Sequence, residues 1–127
     1  MGETPESSYD DMADARKKGG IDRGWIPEWL PASTYAIREV HSIDSNLQLL
    51  AFRMAPAQAW PLPNRCQQMA AEDVASMPFS RRWAPGIDEL RQTHEFHRCP
   101  ATHAGDGWFI ATDPKRASVV MWTAWYE

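Results

Sequence analysis

The sequence predicts an α+β domain: an antiparallel sheet of about four strands with N-terminal and central short helices packed on it. Three observations lead there. Residues 47–54 are apolar on both faces of an extended segment; three short segments after residue 94 are strand-like and broken by turn residues; and four stretches before residue 92 carry apolar residues at helical spacing. A chain of 127 residues buries one core but hardly two, so residues 1–127 read as a single domain, with residues 1–6 as a disordered tail.

Taken in order, residues 7–18 read as a first helix. Ser7 with Asp10, or Ser8 with Asp11, makes a capping box. Tyr9, Met12 and Ala13 share a face, and Arg16, Lys17 and Lys18 precede the stop at Gly19-Gly20. The run Gly24-Trp25-Ile26-Pro27-Glu28-Trp29-Leu30-Pro31 cannot be helical, because its two prolines push the residues before them toward extended backbone. It reads as a clamp over an apolar surface. A short helix is expected over residues 34–40, capped by Ser33, with Ala36, Ile37 and Val40 inward.

Residues 47–54 form the best early strand, with Leu50, Phe52 and Met54 on one face and Leu47, Leu49 and Ala51 on the other. That pattern belongs to an inner strand covered on both sides. After a Pro/Ala-rich loop carrying Trp60, residues 66–77 keep helical spacing behind Asn64 as a cap, and residues 85–91 form another helix with Pro85 in its first turn. Strands are expected over 95–99, 108–112 and 118–125. Their connections are short, which makes them antiparallel neighbours.

A formal charge of −4, with only 13 scattered Lys and Arg, argues against a nucleic-acid partner, which needs a clustered basic face. No run approaches the roughly 20 apolar residues of a transmembrane helix. The polar start Met1-Gly2-Glu3-Thr4-Pro5-Glu6 is read as lying just after a removed leader. Seven Trp is a high count. Most are expected in the core, and Trp25, Trp29 and Trp60, which lie in Pro-rich loops, are the candidate contact residues.

The stretch from Arg23 through Pro31, continuing by Ser33, Ile37 and His41 to Asp44 and Asn46, resembles a group of uncharacterised bacterial cell-envelope proteins that includes lipoproteins. Their pattern is a Tyr- and Ala-containing helix, a Gly-Trp-Ile-Pro-x-x-Leu-Pro clamp, a short helix and a His-Asp-x-Asp-Thr-Asn-like turn into a strand. The match is close from Tyr9 to Phe52 and looser through Trp83, Cys99, Trp108 and Trp122. Thr34 stands where the group shows Ala, and the turn here reads His41-Ser42-Ile43-Asp44-Ser45-Asn46. The resemblance implies a periplasmic or membrane-anchored lipoprotein setting, with a cytoplasmic one as the alternative, and it carries no activity.

In an envelope protein the two cysteines, Cys66 and Cys99, suggest one disulfide between the helix at 66–77 and the strand at 95–99. In a cytoplasmic protein they would be two buried thiols. His94, His97, Cys99 and His103 are the densest set of metal-ligand types. Yet His94 and His97 would point to opposite faces of a strand, and an oxidised Cys99 could not ligate, so neither a metal nor another cofactor is expected. His41, Asp44 and Asn46 could form a catalytic or ion-binding cluster, but Asp and Asn also fix turns, and His can end a helix. Asp10-Asp11 and Asp88-Glu89 are neighbours whose side chains diverge on a helix.

No Gly-x-Ser-x-Gly, His-Glu-x-x-His, phosphate loop or Cys-x-x-Cys motif is present. The reading is therefore a non-enzymatic, envelope-associated binding module that meets a protein or envelope component through Trp25, Trp29, Trp60 and His41. The alternatives are an immunity or inhibitor protein, whose acidic balance would suit a basic partner, and a small hydrolase or metal-dependent enzyme.

Overall fold

The structure, a computed structural model, describes residues 4–45, 47–55, 62, 66–99, 107–113 and 117–123. Its strands are β1 (Glu6–Asp11), β2 (Tyr35–His41), β3 (Gln48–Arg53), β4 (Gln67–Met69), β5 (Glu95–Cys99), β6 (Trp108–Asp113) and β7 (Ser118–Trp122). Two helices, α1 (Met12–Lys17) and α2 (Ile87–Thr93), and one 3-10 turn at Ala71–Asp73 complete the described elements. All seven strands join one antiparallel sheet in the order β1-β2-β3-β7-β6-β5-β4. This overturns the expected α+β domain with about four strands. The described fold is largely β, and of the described helices only α2 reaches seven residues.

Three segments expected to be helical carry strands over part or all of their length, for identifiable reasons. In β1 only Tyr9 is buried. The Ser- and Asp-rich stretch has weak helix propensity, and pairing with β2 decides its state. The helix begins later: Asp11 is its cap, accepting from the Asp14 amide at 2.8 Å. It ends in Gly19 at φ +83°, and the Gly20 amide reaches back to the Ala15 carbonyl, which closes the last turn. Residues 35–41 hold Tyr, Ile and Val, which suit a pleated surface better than a helix. Ser33, expected to cap a helix there, instead accepts from the Ala55 amide. A bulge interrupts the β2–β3 register between Tyr35 and Arg38, where Ala36 sits at φ 51°. Finally, residues 66–77 contain only short β4 and the 3-10 turn, so Cys66 lies just before an edge strand rather than on a helix.

The reading of residues 47–54 holds. In β3, Leu50, Phe52 and then Met54 face one side and Leu49 and Ala51 the other, and all are buried. The two sides correspond to two separate cores. Leu50, Phe52, Ile110, Val119 and Met121 pack under Met12, Ala15, Ile26 and Leu30, so the chain between β1 and β2 covers that face. Leu49, Ala51, Phe96, Val120 and Trp122 pack under Val74 and Leu90, with Met77, Phe79 and Trp83 beside them. Arg91 of α2 ties this second cover together by donating to the Ala71 and Val74 carbonyls. The Gly24–Pro31 clamp is thus real, with Ile26 and Leu30 as its buried anchors.

Cys66 and Cys99 form a disulfide. Among the described residues no helix is long and apolar enough to cross a membrane.

A candidate contact site around Trp25 and His41

The end of the sheet where β2 leaves and β3 enters brings two of the expected residues together. His41 closes β2 rather than ending a helix, and Gln48 lies opposite it on β3. Two residues earlier on the same strand face is Glu39, wholly buried. His41 Nδ1 lies 2.6 Å from Glu39 Oε1 and 3.1 Å from Oε2. With Glu39 ionised, the ring must donate from Nδ1, which fixes its tautomer. Burial pushes the Glu39 carboxyl above its usual 4.5, and the hydrogen bonds from His41 and Gln48 pull the other way without cancelling the effect.

Trp25 stacks on the His41 ring, with centroids 4.4 Å apart and planes at 28°. Its backbone is held as firmly. The Trp25 amide donates to the Gly20 carbonyl, and the Trp25 carbonyl accepts from Gln48 Nε2 at 3.2 Å. The Arg23 guanidinium lies 5.1 Å from the Trp25 ring centroid. The order from solvent inward is therefore a cation, a half-buried indole, an imidazole and a buried carboxylate. Ile43, two positions beyond His41, is 58% exposed, the most open large apolar side chain among the described residues.

A carboxylate that fixes an imidazole tautomer is one part of a general-base site, but such a site also needs a poised nucleophile or water. The nearby hydroxyls serve the chain itself: Ser42 accepts from the Asp44 amide, Ser45 from the Leu47 amide and Thr123 from the Gln48 amide. Asp44 is thereby placed in a turn fixed by serines, while Asn46 lies outside the described residues.

Of the other expected contact residues, Trp29 is partly buried against the first core, and Trp60 lies outside the described residues. In the His-rich segment, His97 and Cys99 alternate with Phe96 along β5, His94 precedes the strand, and Cys99 is oxidised. His103 lies outside the described residues, and among those described no three His, Cys, Asp or Glu side chains converge as a metal site would require. Glu39 escaped the sequence reading because a helix over residues 34–40 would have turned it to solvent. The signal that could have found it is the i, i+2 spacing of Glu39 and His41 in a β-prone stretch.

Fold and site together describe a largely β protein, disulfide-bonded, with a fixed aromatic side chain at one end of its sheet. Residues 3–53 match the family model described as the YbbD head domain, which makes that stretch similar to a bacterial family of uncharacterised type. The match spans β1 to β3 and every member of the Trp25–His41–Glu39–Gln48 cluster, and it stops before both cysteines. No curated protein and no solved structure matches the chain.

Proposed function

We propose that this chain is a non-enzymatic interaction module of the cell envelope, with Trp25 as the anchor of its contact face. The observation that carries this is the way Trp25 is held: a half-exposed indole stacked on a buried His–Glu pair and bonded at both its backbone groups. An aromatic side chain fixed before binding loses little freedom on contact, and Trp and Arg are the residue types that most often carry binding energy. Arg23 and Ile43 extend the face. The Cys66–Cys99 bond supports a place outside the reducing cytoplasm, in the periplasm or on a lipid anchor. The family description, a head domain, suits a part that presents a surface.

The test is in-cell photo-crosslinking from position 43 in place of Ile43, with and without Trp25→Ala. The reading expects a discrete adduct with an envelope component, lost in the Trp25→Ala variant while its melting temperature stays within a few degrees. An adduct that persists without Trp25, or a Trp25→Ala chain that no longer folds, makes the ring a structural lid and ends the proposal.

A further inference from the structure

On the opposite face of the sheet lies a cavity of about 310 Å³ that the contact site does not use. It opens where the second cover, near Trp83, Pro85 and His94, stands off from β2, β3 and β7. The space exists because the sheet offers small side chains there. Ala51 and Ser118 line it, and so does Ala36, the bulged residue at φ 51°. Arg38 and Arg53 stand around these, diagonal neighbours across the β2–β3 pairing, both exposed and neither in an ion pair with a described residue.

Hydrogen bonds from Trp83 first and then Arg81 hold the Glu6 carboxyl below its usual value, and Arg38 helps through its charge. Glu6, on edge strand β1, accepts from Arg81 Nε at 2.9 Å and from Trp83 Nε1 at 3.0 Å. These bonds fix the Trp83 indole as a wall of the cavity; Arg38 feels the Glu6 charge without an ion pair to it, and Arg53 has no ion pair to a described residue. Asp113, opposite Ser118 in the β6–β7 pairing, is buried and is not part of the lining.

We infer that this cavity binds a small organic oxyanion, a carboxylate or phosphate group carried on a flat or compact apolar body. Two guanidinium forks match the paired oxygens of such a group, and the Ser118 hydroxyl adds a donor. Trp83, Pro85 and Val120 supply an apolar wall for the rest. The volume lies at the lower end of small-molecule sites and is too small for an extended polymer. A net charge of −4 gives no general attraction for anions, so binding here would come from the local pair of arginines. The inference stands whether or not Trp25 anchors a partner.

The test is a two-dimensional NMR titration of the full chain, following indole and guanidinium N–H signals, with benzoate, phenyl phosphate, inorganic phosphate and benzamide as probes. The expected result is saturable movement of the Trp83 indole signal with benzoate or phenyl phosphate. Neutral benzamide should bind at least about tenfold more weakly, as should benzoate to Arg38→Gln or Arg53→Gln. Inorganic phosphate separates the charge from the apolar body, and its binding should be weaker than that of phenyl phosphate. Because Arg38 lies inside β2 and Arg53 at the last position of β3, Arg53→Gln decides if Arg38→Gln lowers the melting temperature. Equal binding of benzoate and benzamide, full binding by a folded Arg53→Gln chain, or no saturable shift at millimolar probe each overturns the assignment.

Discussion

Glu39 is the residue whose chemistry departs furthest from its surroundings. It is a wholly buried carboxyl whose proton is held more tightly in the folded chain than at its ordinary value of 4.5. The sign follows from linkage: above that value the folded state binds more protons than the unfolded one, so stability from this group is complete below 4.5 and is lost as pH rises through the folded value. Glu39→Gln removes the titration while keeping an acceptor for His41. Urea unfolding of both proteins between about pH 4 and about pH 7 should show the parent losing stability relative to the variant as pH rises. A difference that is constant across the range would mean that Glu39 titrates alike in both states. At this scale the sequence was half legible. Trp25 and His41 could be picked out from loop position and residue type, whereas Glu39 could not, because its burial follows from a strand that the spacing of Ile37 and Val40 concealed.

Among the elements, short apolar runs bounded by turn residues were readable, and those decided by partners were not. β3 and the three C-terminal strands are short runs rich in Leu, Val, Ile, Phe and Trp, most of them buried, so propensity and packing agree. β1 has one buried side chain, and its strand state comes from pairing with β2. The helices show the same dependence. Six-residue α1 is too short to be stable alone and leans on its Asp11 cap, its glycine end and its packing on β1. That packing leaves no space at Gly20, where a Cβ would lie 2.7 Å from the Tyr9 hydroxyl and 3.3 Å from Ile26 Cγ1. Tyr9 and Ile26 are both buried and cannot move aside freely. Gly20→Ala should therefore destabilise by about 1–3 kcal/mol in urea unfolding. A change below a few tenths would show that the α1–β1 corner is looser than its contacts imply.

For the molecule as a whole, the disulfide secures the weaker end. β4 has three residues and sits at the sheet edge, and the bond from Cys66 to Cys99 holds its start against β5. Closing a loop of 33 residues stabilises by about 4 kcal/mol in the chain-entropy view. Reduction, or a paired Cys66→Ser and Cys99→Ala change, should lower the urea midpoint accordingly, and native alkylation before reduction should add no label. Free thiols in the native protein would remove the main support for an envelope location. The opposite edge, β1, presents Glu6, Asp10 and Asp11, and such charge discourages a second copy from extending the sheet.

The strand order has a kinetic consequence. β1 to β3 form one run of neighbouring strands and β4 to β7 another, and the sheet joins them where β3 pairs with β7. At the end of that seam Gln48 bonds Thr123, 75 positions away. A long loop must close before any seam contact can repay its lost entropy, so the two runs can form quickly while their zippering sets the pace. Stopped-flow refolding should accordingly fall in the millisecond-to-second range of non-local β proteins, and a microsecond phase accounting for the whole amplitude would be incompatible with that order of events. Until the seam closes, the apolar flanks of β3 and β7 remain open to solvent and to other chains, so the interval before zippering is when this protein is most exposed to aggregation during its synthesis.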